Sequence, residues 1–217
     1  KLELITSEID TLNNKEEQII TRSKELFKII NEKSHVAPLD FYAKQKYLSE
    51  RATGWLNRSP TIYRFGTLFG LSPRMRFDLI VNHLCKDAIL YNKLEIFGGN
   101  LWRPLMWVGE PARVYSKIIK DDTSKYKSQI FNLNYNNENY KKIDIAKMVQ
   151  ENFFKDINID IVEKDLDLRS YRLNFDKMKK YFDLSPASDL LKESEIIIKN
   201  IKNNYYGDIN SKKYYNV

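Results

Sequence analysis

The 217 residues predict an α/β fold built on a partial, parallel sheet with flanking helices and a smaller α/β portion toward the carboxyl end. Three observations carry this. Short runs of β-forming residues alternate with longer stretches of helical periodicity. Gly, Pro and Ser punctuate the junctions between them. The hydrophobic share of 42% is enough to close a core at this length.

Taken in order, Leu2, Leu4, Ile5, Ile9 and Leu12 fall on one helical face and predict a helix over 1–14. Gln18-Ile19-Ile20-Thr21 reads as a short strand. Pro38 stands just ahead of a helical pattern over 39–56 that contains Tyr42, Lys46 and Trp55. Thr61-Ile62-Tyr63-Arg64-Phe65 is a strand stopped by Gly66, and Gly70 and Pro73 make 68–73 a loop. A helix follows over 77–91, then a strand over 94–97 closed by Gly98-Gly99, then a helix over 110–119. Further strands fit 129–133 and 157–162, and helices fit 143–152, 175–181 and 187–201, the last after Ser185-Pro186. From Asn203 the chain is rich in Asn, Lys and Tyr without periodicity and reads as a frayed end.

Lys and Arg exceed Asp and Glu by seven, but the lysines are scattered rather than gathered, so nucleic acid is not the expected partner. Cys85 is the single cysteine, which excludes an intrachain disulfide and a thiolate zinc site and fits a reducing, cytoplasmic setting. It falls in an apolar helical stretch and reads as a small core residue. His35 and His83 lie far apart without ligand spacing, so no metal is expected. The sequence has no 18-residue apolar run that would span a membrane.

The spacing with chemical content is Tyr42-Ala43-Lys44-Gln45-Lys46. Positions four apart share a helix face, which brings the Lys46 ammonium toward the Tyr42 phenol. A phenol, with a usual pKa of about 10, is a poor base at neutral pH. A neighbouring cation stabilises its phenolate, and such a pair can exchange a proton with a sugar hydroxyl. In a chain with 14 tyrosines the spacing alone also arises by chance.

The order of the surrounding segments is more specific. Gln18 to Phe27 runs as a strand, a Ser at 23 and a closing aromatic; Asn31-Glu32 and Ala37-Pro38-Leu39-Asp40-Phe41-Tyr42 lead into the helix. Thr61 to Gly70 is a strand and loop, followed by Ser72-Pro73-Arg74-Met75-Arg76-Phe77-Asp78-Leu79-Ile80-Val81-Asn82. Ile96-Phe97-Gly98-Gly99-Asn100-Leu101-Trp102-Arg103-Pro104 is a Gly-rich turn before an arginine, and Phe131-Asn132-Leu133 and Arg169-Ser170-Tyr171-Arg172 complete the order. In this order the chain resembles the extended short-chain dehydrogenase/reductases of the NAD-dependent epimerase/dehydratase type, over nearly its whole length.

The resemblance implies a partial Rossmann-like sheet and a substrate-binding portion, with 1–72 in the first, 73–203 mainly in the second, and 204–217 a flexible tail. It implies Ser23, Tyr42 and Lys46 as catalytic residues, with Tyr42, Lys46 and Arg64 facing NAD. It implies Asn82, Arg74, Arg76, Arg103 and Arg169 as contacts to a nucleoside-diphosphate sugar. Arginine suits that role because its planar fork offers paired donors to adjacent phosphate oxygens. Epimerisation in polysaccharide biosynthesis is the implied reaction, dehydration the runner-up, and a homodimer is allowed.

The pattern also departs from the family. No G-x-x-G-x-x-G or G-x-G-x-x-G occurs, so the pyrophosphate of NAD lacks its usual seat at a helix amino terminus. That makes the chain read as a truncated form whose isolated activity is in doubt, with a non-catalytic, partner-binding remnant as the alternative. Ser23-Lys24-Glu25 keeps only the glutamate of the dehydratases' Asp-Glu pair, and Lys28 replaces a common glycine after Phe27. Trp107 and Glu110 stand where the family usually has His and Asp.

Overall fold

The computed structural model describes residues 29–55, 59–162 and 169–215. The helix expected over 1–14, the strand at 18–21 and Ser23 lie outside these residues. The first described elements are a short strand β1 (Ile29–Ile30) and a helix α1 (Phe41–Trp55). Asp40 starts that helix in the manner of an N-cap, its Oδ1 accepting the Ala43 N–H at 2.7 Å. Further along, the Ser49 and Thr53 hydroxyls donate back to the carbonyls of Gln45 and Ser49.

Two strands follow, β2 (Ile62–Phe65) and β3 (Thr67–Phe69), separated by Gly66. The chain from 68 to 73 is therefore not all loop, because the extended run continues past Gly66 and changes partner there. β2 pairs in parallel with β6 (Ile130–Leu133), whereas β3 pairs in parallel with the carboxyl half of β5 (Trp102–Trp107). At the crossing a side chain on Gly66 would stand 3.0 Å from the Pro104 carbonyl oxygen, so the backbones meet closely only because this residue has none. Pairing of β5 with β7 (Asn139–Lys141) is antiparallel. β5 and β7 carry no clean alternation in the sequence and went unread there.

Helix α2 (Ile80–Tyr91) runs into β4 (Leu94–Phe97), which pairs in parallel with β8 (Ile159–Val162). α3 (Glu110–Lys120), α4 (Lys142–Phe153), α5 (Asp176–Phe182) and α6 (Leu190–Lys202) follow their expected spans within two or three residues. β9 (Arg172–Leu173) pairs in parallel with β1. The architecture is α/β with mainly parallel strand pairs and flanking helices.

The first apolar cluster packs Val81 and Leu84 of α2, Ile145 and Val149 of α4 and Leu190 of α6 against Phe69, Leu94 and Leu105 of the strands. A second unites Met75, Phe77, Cys85 and Ile197 with Tyr206, Ile209 and Tyr214. The frayed carboxyl end expected beyond Asn203 is thus corrected. Residues 203–215 fold back, with Phe77 edge-on to the rings of Tyr206 and Tyr214 and the Tyr214 hydroxyl donating to the Tyr206 carbonyl at 2.7 Å. The aromatic side chains of this tail, which have no helical or strand period, reach a tertiary pocket that periodicity does not reveal.

Candidate active site

Helix α1 presents an open face. None of its residues is buried, and Phe41, Tyr42 and Trp55 are 74%, 64% and 74% exposed. On that face the Lys46 ammonium lies 5.5 Å from the centroid of the Tyr42 ring, one helical turn away. The pair expected from the spacing is therefore in contact. Arg76 also feels this phenol: its pKa is raised, chiefly by the hydrogen bonds to Asp78 at 2.7 and 2.6 Å, and least by Tyr42.

Ion pairs tie α1 down, one of them at Glu50, a turn beyond Lys46 on the same side of the helix. Arg64 on β2 grips Glu50, Nε to Oε2 at 3.0 Å and Nη2 to Oε1 at 2.5 Å, so its guanidinium spans the strand and the helix. At the start of the helix, Arg169 Nη1 donates to Asp40 Oδ2 at 2.9 Å. Asp40 thus uses one oxygen on the helix cap and the other on Arg169.

Arg103 lies on β5, 6% exposed. Its Nη1 donates to the carbonyl oxygens of Trp102, at 2.8 Å, and of Arg169, and its guanidinium approaches the ring of Tyr171. The Trp102 N–H reaches the Ser170 hydroxyl at 3.1 Å, and Arg172 lies over the Trp102 ring. Four predicted site residues, Tyr42, Lys46, Arg103 and Arg169, therefore form one connected region through Asp40. Arg74 is exposed and stands apart from these contacts.

Asn82 is buried on α2, where its Oδ1 accepts the Gly70 N–H at 3.3 Å and its Nδ2 donates to the Arg76 carbonyl at 3.0 Å. It shapes the loop from which Arg74 and Arg76 project. Trp107 fills the space between Gly70 and Gly109, and a side chain on either glycine would meet its indole. Glu110 is buried and accepts from Arg113, Tyr135 and the Ala187 N–H, anchoring the segment ahead of α6. Burial and this carboxylate push the Tyr135 phenol upward. The two departures from the family's His and Asp are thus packing and anchoring residues in this fold.

Sequence reasoning quoted Glu32 and Asp40 only as part of the run into α1, gave neither a role, and left Glu50 unmentioned. Glu32 Oε1 accepts the Asn132 N–H at 2.8 Å across 100 residues of chain, which no local pattern signals. Asp40 did leave a signal: an Asp directly before a helical run is an N-cap signature. Among the described residues no group of three or more His, Cys, Asp or Glu could hold a metal, and no helix is long and apolar enough to cross a membrane.

No family model matches the chain. Among solved structures it is similar to UDP-glucuronic acid 4-epimerase from Bacillus cereus, in complex with UDP-glucuronic acid and NAD, with a TM-score of 0.71 and 20% identity over 82% of this chain and 57% of that one. It is similar to dTDP-glucose 4,6-dehydratase from Bacillus anthracis in complex with NAD, with a TM-score of 0.66 and 19% identity over 82% and 58%. UDP-glucose-4-epimerase from Stenotrophomonas maltophila, with bound NAD and formylated UDP-arabinopyranose, is matched with a TM-score of 0.68 and 13% identity over 82% and 59%. The chain spans less than two thirds of the length of each. Its fold is that of these nucleotide-sugar epimerases and dehydratases, a Rossmann-like α/β fold.

Proposed function

We propose that this chain carries the catalytic helix and the substrate-binding portion of an NAD-dependent epimerase or a related oxidoreductase acting on a nucleoside-diphosphate sugar. The observation that supports it most is the contact of Lys46 with Tyr42 on an exposed helix face, joined through Asp40 to the Arg103 and Arg169 segment. An acid/base pair beside an arginine cluster suits a substrate with a sugar hydroxyl at one end and a diphosphate at the other.

In this reading Tyr42 Oη takes the proton of the sugar hydroxyl as it is oxidised and returns it when the sugar is reduced. Lys46 stabilises the phenolate and holds the nicotinamide ribose. Ser23 shares the hydrogen bond to the hydroxyl. Arg103 and Arg169 bind the diphosphate, and the Arg64–Glu50 pair holds the helix against β2 beside the cofactor face. NAD, when bound, supplies a reversible hydride acceptor. Tyr42 and Lys46 fit its nicotinamide end, both being exposed, but the 217 residues carry no glycine-rich turn for its pyrophosphate. Epimerisation is favoured over dehydration because Ser23-Lys24-Glu25 lacks the Asp of the dehydratases. The single, buried Cys85 accords with a reducing cytoplasm.

The second reading is a non-catalytic domain that binds a partner. Calorimetry with NAD and with UDP-glucose separates the two, run on this chain and on a form extended through any upstream glycine-rich segment. Binding of UDP-glucose by both forms and of NAD by the extended form alone is the expected result. Failure of both forms to bind either ligand overturns the enzymatic reading.

A further inference from the structure

We infer that Asp40 is a positioning residue which couples anion binding at the Arg103 and Arg169 segment to the first turn of the helix that carries Tyr42; this rests on the function proposed above. The geometry is a short relay. Arg103, nearly buried, bonds to the backbone carbonyl of Arg169. The Arg169 side chain reaches Asp40 Oδ2 at 2.9 Å, and Asp40 Oδ1 holds the Ala43 N–H at 2.7 Å. The Asp40 carbonyl also accepts the Lys44 N–H at 3.0 Å. Tyr42 lies between the cap and those two amides, so whatever orders Asp40 orders the turn from which the phenol projects.

The chemistry gives the relay a direction. A guanidinium has five N–H donors in a planar fork, so one edge can hold a carboxylate while another grips a phosphate. A diphosphate on Arg169 would immobilise the guanidinium while Nη1 stays on Asp40, tightening the cap. Both partners of this pair are a little over two fifths exposed. Such a pair is weak and easily broken. A bound anion can therefore change its occupancy. The Arg64–Glu50 pair is less exposed and lies nearly three turns further on, holding the body of the helix while the cap responds.

Amide hydrogen exchange at Ala43 and Lys44, read by NMR on the whole chain, tests this. Without ligand, Arg169→Gln should speed exchange of these amides about two- to fivefold, the effect expected of one exposed ion pair. Arg169→Lys should retain most of the protection, and Asp40→Asn, which keeps an oxygen for the cap but loses the charge, should match Arg169→Gln. The double variant should be no worse than either single one. Equal exchange in wild type and Arg169→Gln overturns the clasp.

UDP is the probe for the second arm. Saturating UDP should slow exchange of the two amides in wild type by a similar factor and leave Asp40→Asn unmoved, although that variant still binds UDP. A residue that merely stabilised the fold would not make the response depend on ligand, nor be rescued by Arg169→Lys. Saturable UDP binding with no response at Ala43 and Lys44 overturns the coupling alone. No saturable binding overturns the proposed function and the coupling together.

Discussion

Helix α1 and the three-helix face of α2, α4 and α6 are contrasting ways of holding a helix. α2 and α6 each bury five or more residues, and α4 buries three in the same apolar cluster. α1 buries none and is held by Asp40 and Glu50, each bound to an arginine. Burial of apolar surface is the main source of stability, whereas exposed ion pairs contribute little. The difference places the stability of the molecule in its packed helices and leaves the Tyr42 helix adjustable.

The contrast is most exposed to failure at the core. Phe77→Ala removes a fully buried ring packed on Tyr206 and Tyr214 and should cost about 3–5 kcal/mol in urea unfolding. Leu48→Ala on the open face of α1 should change stability by less than about 0.5 kcal/mol. Comparable losses at the two sites would erase the distinction.

Tyr42→Phe sharpens it from the other side. In an active, NAD-binding form it should lower turnover about 100-fold or more while leaving the urea midpoint unchanged. Undiminished turnover would remove Tyr42 from the chemistry. Glu50→Gln, which weakens the two-point contact with Arg64, should cost about 1 kcal/mol or less. A loss the size of the Phe77 effect would mean that α1 is held by more than its ion pairs.

Cys85 and His83 probe the packed side by chemistry. The Cys85 thiol is fully buried and desolvation pushes its pKa up to about 12, so a thiol reagent at pH 8 should label it only on the timescale of unfolding. Rapid labelling of native protein would mean that the second cluster opens readily. Burial lowers the pKa of His83 from 6.5, outweighing the opposing pull of Asp87 at 3.1 Å. A base with a lowered pKa binds fewer protons folded than unfolded. Its contribution to stability is complete above pH 6.5 and lost as pH falls through the depressed value. A small fall in urea midpoint below pH 6.5, abolished by His83→Gln, is the expected outcome and the smallest of the set.

Much of this was legible beforehand. α2 to α6 follow apolar periodicity and their breakers, and α1 follows the start signal at Pro38, so local pattern located them. The contact of Tyr42 with Lys46 follows from the helical repeat, which is a local property. β1, β3, β7 and β9 escaped because two or three residues are too few to show an alternation, and β5 because Pro104 interrupts it and four successive residues are buried. The packed tail, which has no helical or strand period, escaped too.

By itself the sequence determined what depends on neighbours in the chain: the α/β alternation, the face shared by Tyr42 and Lys46, the single thiol and the lack of a glycine-rich phosphate loop. Tertiary structure alone decided the switch of partners at Gly66, the burial of residues 203–215 and the link from Arg103 through Arg169 and Asp40 to Tyr42. Those contacts close between residues far apart in the chain, 129 positions in the case of Asp40 and Arg169. No periodicity encodes such a closure, because it forms only when the packing of the whole chain brings the two ends together.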